Sequence, residues 1–443
     1  MVSNGSRRHD ESMSNEQNSS VLELQSYLDR SPSPFHAVSN AQNLLLAAGF
    51  TEFSERERWT DTLGKYFVIR DGSLFAWDAS SKDSFENGFR IIGAHTDSPN
   101  LRLKSSQQRS SLSYGQLSIE TYGSPLLNSW LDRDLGISGR VILSGGNKEE
   151  LLFHTNEPVC RIPQLAIHLD RGLNDKGLQL NPQSHLTPIW ADSSNGSQSF
   201  NDWLGDQLSI ATDEISAWDL MLHDTQPSEY LGANKQWIAS ARIDNLVSCY
   251  AAISALCDSA DESSEKTPLV CLFNHEEVGS VSSAGASGQF LVGTLERLMS
   301  SMTIESRSKA FANSLCLSVD GSHANHPNYP ERHDPDHIVH LNRGIVIKRN
   351  ANQRYATDAI GEAIVKDLCE RESIAYQLFS NRNDLSCGST IGPTTAASLG
   401  VRTIDLGVPQ LSMHSIRELC GVLDQTYLKL FCRAFFLAET TTS

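Results

Sequence analysis

The 443-residue sequence contains no CxxC pair, no cluster of basic residues and no apolar run near the roughly 20 residues that cross a bilayer. Each absence removes a class of protein. Nine cysteines, an odd number scattered from Cys160 to Cys432, fit neither a disulfide framework nor a structural zinc site. Several, such as Cys271 and Cys316, sit in apolar surroundings, which predicts reduced, buried thiols. With 36 Lys and Arg against 53 Asp and Glu, the formal net charge is -17. Phosphate backbones need the opposite, so no nucleic-acid partner is expected. Without a spanning run no membrane role is expected either. The first residues carry no apolar signal segment, which predicts a cytoplasmic location. No GxGxxG or Walker spacing and no internal repeat occurs.

What remains is an ordinary globular composition, 39% hydrophobic and 20% charged, on a chain longer than one core usually serves. Residues 1–18 are polar and predict a disordered tail. Helices are expected over Val21 to Leu28 and His36 to Ala48, and a hairpin turn at Asp71-Gly72. From about 105 to 231 the chain turns rich in Ser, Asn, Gln and Gly, with short β-like pieces at Leu117 to Tyr122, Ile137 to Leu143 and Leu165 to Leu169. This predicts a β-rich insertion over 105–231 within a discontinuous α/β domain formed by 19–104 and 232–443.

The centre of that domain is Thr267 to Gly279, TPLVCLFNHEEVG. Leu269 to Phe273 reads as a strand buried on both faces, and Glu276 and Glu277 stand at its end, where ligands collect in open α/β sheets. On an extended backbone the two carboxylates point opposite ways, so one can bind a metal while the other handles protons. Alone, such a pair is also what a solvated turn looks like. The pattern recurs. Phe89 to Ala94 leads into His95 and Asp97, Leu315 to Val319 into Asp320, and Val401 to Val408, read as the last strand, precedes His414. Asp244 opens a helix. Ile338 to Ile347 reads as a strand carrying Lys348, and Ser415 with Glu418 reads as the capping box of a C-terminal helix. His168 interrupts an apolar run, as a core histidine commonly does. The oxygen and nitrogen set, without sulfur, is the one a pair of divalent ions requires. Two such ions need a bridging carboxylate, and an unligated carboxylate to take a proton from water.

Seven blocks occur in order: HTDSPNLRLK, ARIDN, FNHEEVGS, DGSHANHPNY, KRNANQRYATD, CGSTIGP and MHS. Together they resemble the aspartyl aminopeptidase family of metallopeptidases, M18. The resemblance implies a three-layer α/β/α catalytic domain with a mostly parallel mixed sheet and an inserted β-rich dimerisation domain. It implies two divalent ions per subunit, zinc first with manganese or cobalt as alternatives, held by His95 and His414 at the ends, Asp244 between them, and Glu277 and Asp320. Glu276 is then the general base and Asp97 the group orienting His95. His323, Lys348 and Tyr355 match positions that contact the peptide substrate, Lys348 facing an acidic first side chain. The histidine matching His168 reaches a neighbouring subunit's site, in a homododecamer built from dimers. A broad-specificity aminopeptidase, a related dizinc N-acyl amino acid deacylase and a silent scaffold are the competing expectations.

Overall fold

The computed structural model describes residues 15–79, 84–146, 148–193, 198–260 and 262–439. Most of the expected tail lies outside these residues, but 15–18 belong to the helix Asn15–Asp29. The Asp71-Gly72 turn forms as expected: both residues take positive φ, 47° and 80°, between the paired strands Gly64–Arg70 and Ser73–Ala79.

Nine strands make the central sheet, and its middle is parallel: Thr267–Phe273, Phe89–His95, Leu315–Val319 and Arg402–Gly407 lie side by side. Antiparallel pairs flank this block on both sides, so the sheet is mixed. In each central strand alternate residues go to opposite faces, and both faces are buried. Ile92, Val270, Leu272, Leu317 and Ile404 pack beneath the helices Asn15–Asp29, Pro34–Ala47, Ile243–Asp258, Ala359–Arg371 and Val422–Leu437. Ile91, Leu269, Cys271, Phe273 and Cys316 pack against Phe290–Leu298, Ile304–Ala312 and Ile391–Leu399 on the other side. Continuous apolar runs such as LVCLF follow from this, because no face is left for polar residues.

A second sheet of seven strands runs from Asn100–Ser111 to Ile215–Asp224 around its own core of Leu101, Leu117, Ile137, Val141, Phe200 and Leu220. A third, of five strands, joins Glu229–Leu231, Trp237–Ser240, Glu418–Gly421, Pro409–Leu411 and Ser322–His323.

Four local expectations fail. Leu165 to Leu169 is not a strand but a turn whose apolar side chains are largely exposed. The strand expected from Ile338 begins only at Ile345, because 338–344 is held as a loop against Gln377 and Asp424. Arg402–Gly407 is not the last strand, since two more follow it. Ser415 and Glu418 cap no helix: pairing with Trp237–Ser240 draws Glu418–Gly421 into the third sheet, and the helix starts at Val422.

Candidate metal centre

Because the central strands are parallel, their C-terminal ends share one edge, and the side chains just past those ends meet there. His95 is the last residue of its strand, and Asp320 directly follows Val319. Glu276 and Glu277 lie farther past their strand than an extended reading would place them. The strand stops at Phe273, His275 turns left-handed at φ 67°, and both glutamates sit in a short 3-10 turn. Asp244 lies in the first turn of the helix Ile243–Asp258, as expected, but in non-helical conformation (φ -79°, ψ 104°). His414 is also left-handed, at φ 66°, in a turn between two strands of the third sheet.

These groups converge. Asp244 offers one oxygen to each histidine: Oδ1 lies 3.3 Å from His95 Nε2, and Oδ2 lies 3.5 Å from His414 Nε2. Asp320 Oδ1 is 3.4 Å from His95 Nε2, and Glu277 Oε2 is 3.3 Å from His414 Nε2. His95, Asp244 and Glu277 have ligand atoms that all fall within 4.8 Å of one another.

The donor set fits divalent cations on three counts. Tetrahedral zinc with bonds of about 2.0–2.1 Å has ligand–ligand edges of about 3.4 Å, matching the separations above and exceeding a normal hydrogen bond. Asp244 Oδ1 and Glu277 Oε1 are buried with no hydrogen-bond partner, which protein interiors rarely tolerate. Both imidazoles point Nε2 inward, because Nδ1 is occupied. His95 Nδ1 donates to the Asp97 carbonyl at 3.0 Å, and His414 Nδ1 to the Ser124 carbonyl at 3.0 Å.

Against the lowering effect of burial, Asp244 and Glu277 push the His414 imidazole up to about 10, and Asp244, Asp320 and Asp97 hold His95 well above the usual histidine range. Cationic charge is what this pocket attracts. Burial, then Asp320, Asp97 and Asp244, push Glu276 up to about 8 against the pull of His95. Glu276 lies half-buried on the cleft wall.

Asp97 does more than the expected orienting of His95. Its Oδ1 and Oδ2 accept the N–H groups of Glu276 and Glu277, each at 3.1 Å, and Oδ2 also accepts the Tyr122 hydroxyl at 2.6 Å. The whole glutamate turn hangs on this fully buried carboxylate.

A cleft of about 510 Å³ opens over the cluster and is lined by His95, Asp244, Glu276, Glu277, Asp320 and His414. His323, Lys348 and Tyr355 line it as well. Lys348 is 1% exposed, and Nζ donates to the carbonyls of Asp320 (3.2 Å) and Gly321 (3.0 Å). The ammonium also lies 5.1 Å from the centre of the Tyr355 ring. His168 is not brought to this cleft; it sits in the exposed 165–169 turn of the second sheet's loops.

Three supports escaped sequence reasoning: Tyr122, Ser124 and Glu418. Glu418 sits where the capping-box pattern pointed, and it does turn back to accept an amide, but the amide is that of His414.

Two inward-facing imidazoles and a set of carboxylates gathered at one edge of the central sheet of a three-layer α/β/α domain point to a metal-dependent hydrolase. The chain matches, over residues 27–436, the family described as aminopeptidase I zinc metalloprotease (M18). It is 44% identical over 407 residues, 91% of its own length and 94% of the other's, to a probable M18 family aminopeptidase 2 of Streptomyces coelicolor. In structure it resembles Ape4, solved in complex with Nbr1, at a TM-score of 0.91 and 35% identity, covering 95% of this chain and 86% of that one. It also resembles the S. cerevisiae mApe1 dodecamer, at a TM-score of 0.84 and 30% identity over 96% and 97% of the two chains. The chain belongs to the M18 family of zinc aminopeptidases and is a metal-dependent peptide hydrolase.

Proposed function

We propose that the protein is a dinuclear aminopeptidase that removes the first residue of peptides, with a preference for Asp or Glu at that position. One observation carries the dinuclear part: Asp244 directs one oxygen at each of two inward-facing histidines. His95 with Asp320 then forms one half of the site and His414 with Glu277 the other, Asp244 belonging to both. When bound, the cations supply polarisation of the scissile carbonyl and acidify a water.

The chain's own residues do the rest. Glu276, ligating neither half, takes the proton of the attacking water and returns it to the departing amine. Cations held beside it would lower its raised proton affinity, which favours the ionised form that a base needs. Asp97 keeps Glu276 and Glu277 in register by holding both their amides. Lys348 donates to two carbonyls and its Nζ lies 4.0 Å from Asp320 Oδ2, so its positive charge stands beside the cleft where a substrate carboxylate would meet it. His323 and Tyr355 wall the same cleft. The exposed apolar turn around His168, on the β-rich insertion, is read as a contact between copies of this chain. That fits assembly into a homododecamer from dimers, as the yeast relative forms a dodecamer.

The test is a panel of peptides beginning with Asp, Glu, Leu, Ala or Lys, with the zinc content of the protein measured alongside. Two zinc per subunit and fastest turnover on Asp or Glu is the expected result. One zinc per subunit would overturn the dinuclear reading, and fastest turnover on Leu or Ala would remove the role given to Lys348.

A further inference from the structure

Glu418 is a buried carboxylate, 3% exposed, with no cation in ion-pair contact among the described residues. A negative charge in that position is costly unless something repays it. Both oxygens are committed to backbone. Oε2 accepts the N–H of Asp244 at 2.9 Å, and Oε1 accepts the N–H of His414 at 2.8 Å.

These two amides belong to residues without regular backbone structure. Asp244 is non-helical within the first turn of its helix, and His414 is left-handed, so neither amide has a helix or strand partner. The carboxylate replaces that partner for both at once. Its own position is fixed independently, because Glu418 pairs with Ser240 in the register of the third sheet. Two segments far apart in the chain are thereby referred to one rigid side chain. Ser98 Oγ and Leu126 N hold the carbonyls of Asp244 and His414 at 2.8 and 2.9 Å, so the amide ends are where freedom would remain.

We propose that Glu418 is a positioning residue. It sets the spacing of Asp244 and His414, and thereby the metal affinity of the half of the site that these two share with Glu277. The inference rests on the dinuclear reading above. Glu418→Gln keeps the shape but leaves a single acceptor oxygen and turns an N–H2 group toward an amide that also donates. One of the two amides is then released.

Zinc affinity is measured for wild type and Glu418→Gln by competition with a chromophoric chelator, with the melting temperature of the metal-free proteins recorded in parallel. Wild type is expected to show two sites. In Glu418→Gln the His414–Glu277 half, which contains both residues held by Glu418, weakens by about 10–100-fold, the range typical for a lost outer partner of a ligand, and the His95–Asp320 half, which shares only Asp244, weakens less. Two sites of wild-type affinity in the variant would overturn the proposal, as would equal weakening of both. Fewer than two sites in the wild type would instead overturn the dinuclear reading itself, a separate and visible failure. If Glu418→Gln does not fold, Glu418→Asp replaces it: the shorter arm keeps the charge but cannot span both amides, and the same unequal weakening is expected.

Discussion

Glu276 stands among Asp97, Asp244 and Asp320, and its side chain reaches the cleft without belonging to either histidine-centred half of the cluster. Replacing it with glutamine preserves size and the hydrogen bond from its backbone N–H to Asp97 while removing the capacity to carry a proton. General acid–base groups contribute about 10²–10⁴-fold, so Glu276→Gln is expected to lower kcat by that factor with little change in KM. Zinc content should stay at the wild-type value, which steady-state kinetics with elemental analysis will check. Loss of metal together with activity would assign the residue to ligation instead. Glu277→Gln should behave in that second way, because its Oε2 lies 3.3 Å from His414 Nε2 and its Oε1 is buried without a partner.

At the level of elements, the strand Tyr114–Tyr122 of the second sheet ends in the metal cluster of the first. Tyr122 donates to Asp97, Gly123 passes Glu277 so closely that a Cβ would lie 3.1 Å from the Glu277 Cβ, and the Ser124 carbonyl holds His414. Tyr122→Phe removes only the hydroxyl and keeps the ring stacked under Arg102. A hydrogen bond to a charged group is worth about 1.5–3 kcal/mol, so activity should fall about 10-fold or more while the fold persists by circular dichroism. A second element prediction concerns the C-terminal helix. Asp424, in its first turn, accepts the N–H groups of Asn342 (2.5 Å) and Gly344 (2.9 Å), yet burial pushes it up to about 7. A carboxyl whose pKa is higher folded than unfolded binds more protons in the folded state, so its contribution falls as pH rises from about 4 to 7. The stability of wild type relative to Asp424→Asn, from urea midpoints, should therefore drop by about 2–4 kcal/mol between pH 4 and 8. An unchanged difference would mean that Asp424 is not raised. Legibility in the sequence follows the same division. Strands buried on both faces announce themselves as apolar runs, and the residue after such a run lies at the sheet edge, so His95, Asp320 and the glutamate pair were readable. Tyr122 and the bond of Glu418 to Asp244 were not, because the partners lie 25 and 174 positions away and no local period records them. The capping-box pattern at Ser415 misled because strand pairing with Trp237–Ser240 outweighed the local helix signal. The Leu165 to Leu169 run misleads for another reason: apolar residues at a protein surface look the same in sequence as those of a buried strand.

For the whole molecule that exposed run is the informative feature. Leu165, Ile167 and Leu169 are 57, 44 and 74% exposed, around a histidine that does not line the cleft of its own subunit. If His168 completes a neighbour's cleft, its loss must be repairable in trans. His168→Ala and Glu276→Gln should each be close to inactive alone. In a mixed pair the His168→Ala subunit retains Glu276 and receives His168 from its partner, so one of the two sites is whole. With reciprocal contacts and random pairing, unfolding and refolding the two proteins together in equal amounts yields about half mixed pairs, and so about a quarter of wild-type activity. A histidine acting within its own subunit gives no mixed pair a complete site, and activity would stay at the level of the separate variants. The same refolded sample, passed over a sizing column with light-scattering detection, ties the outcome to assembly: the recovered activity should elute with the oligomer and be missing from any monomer fraction.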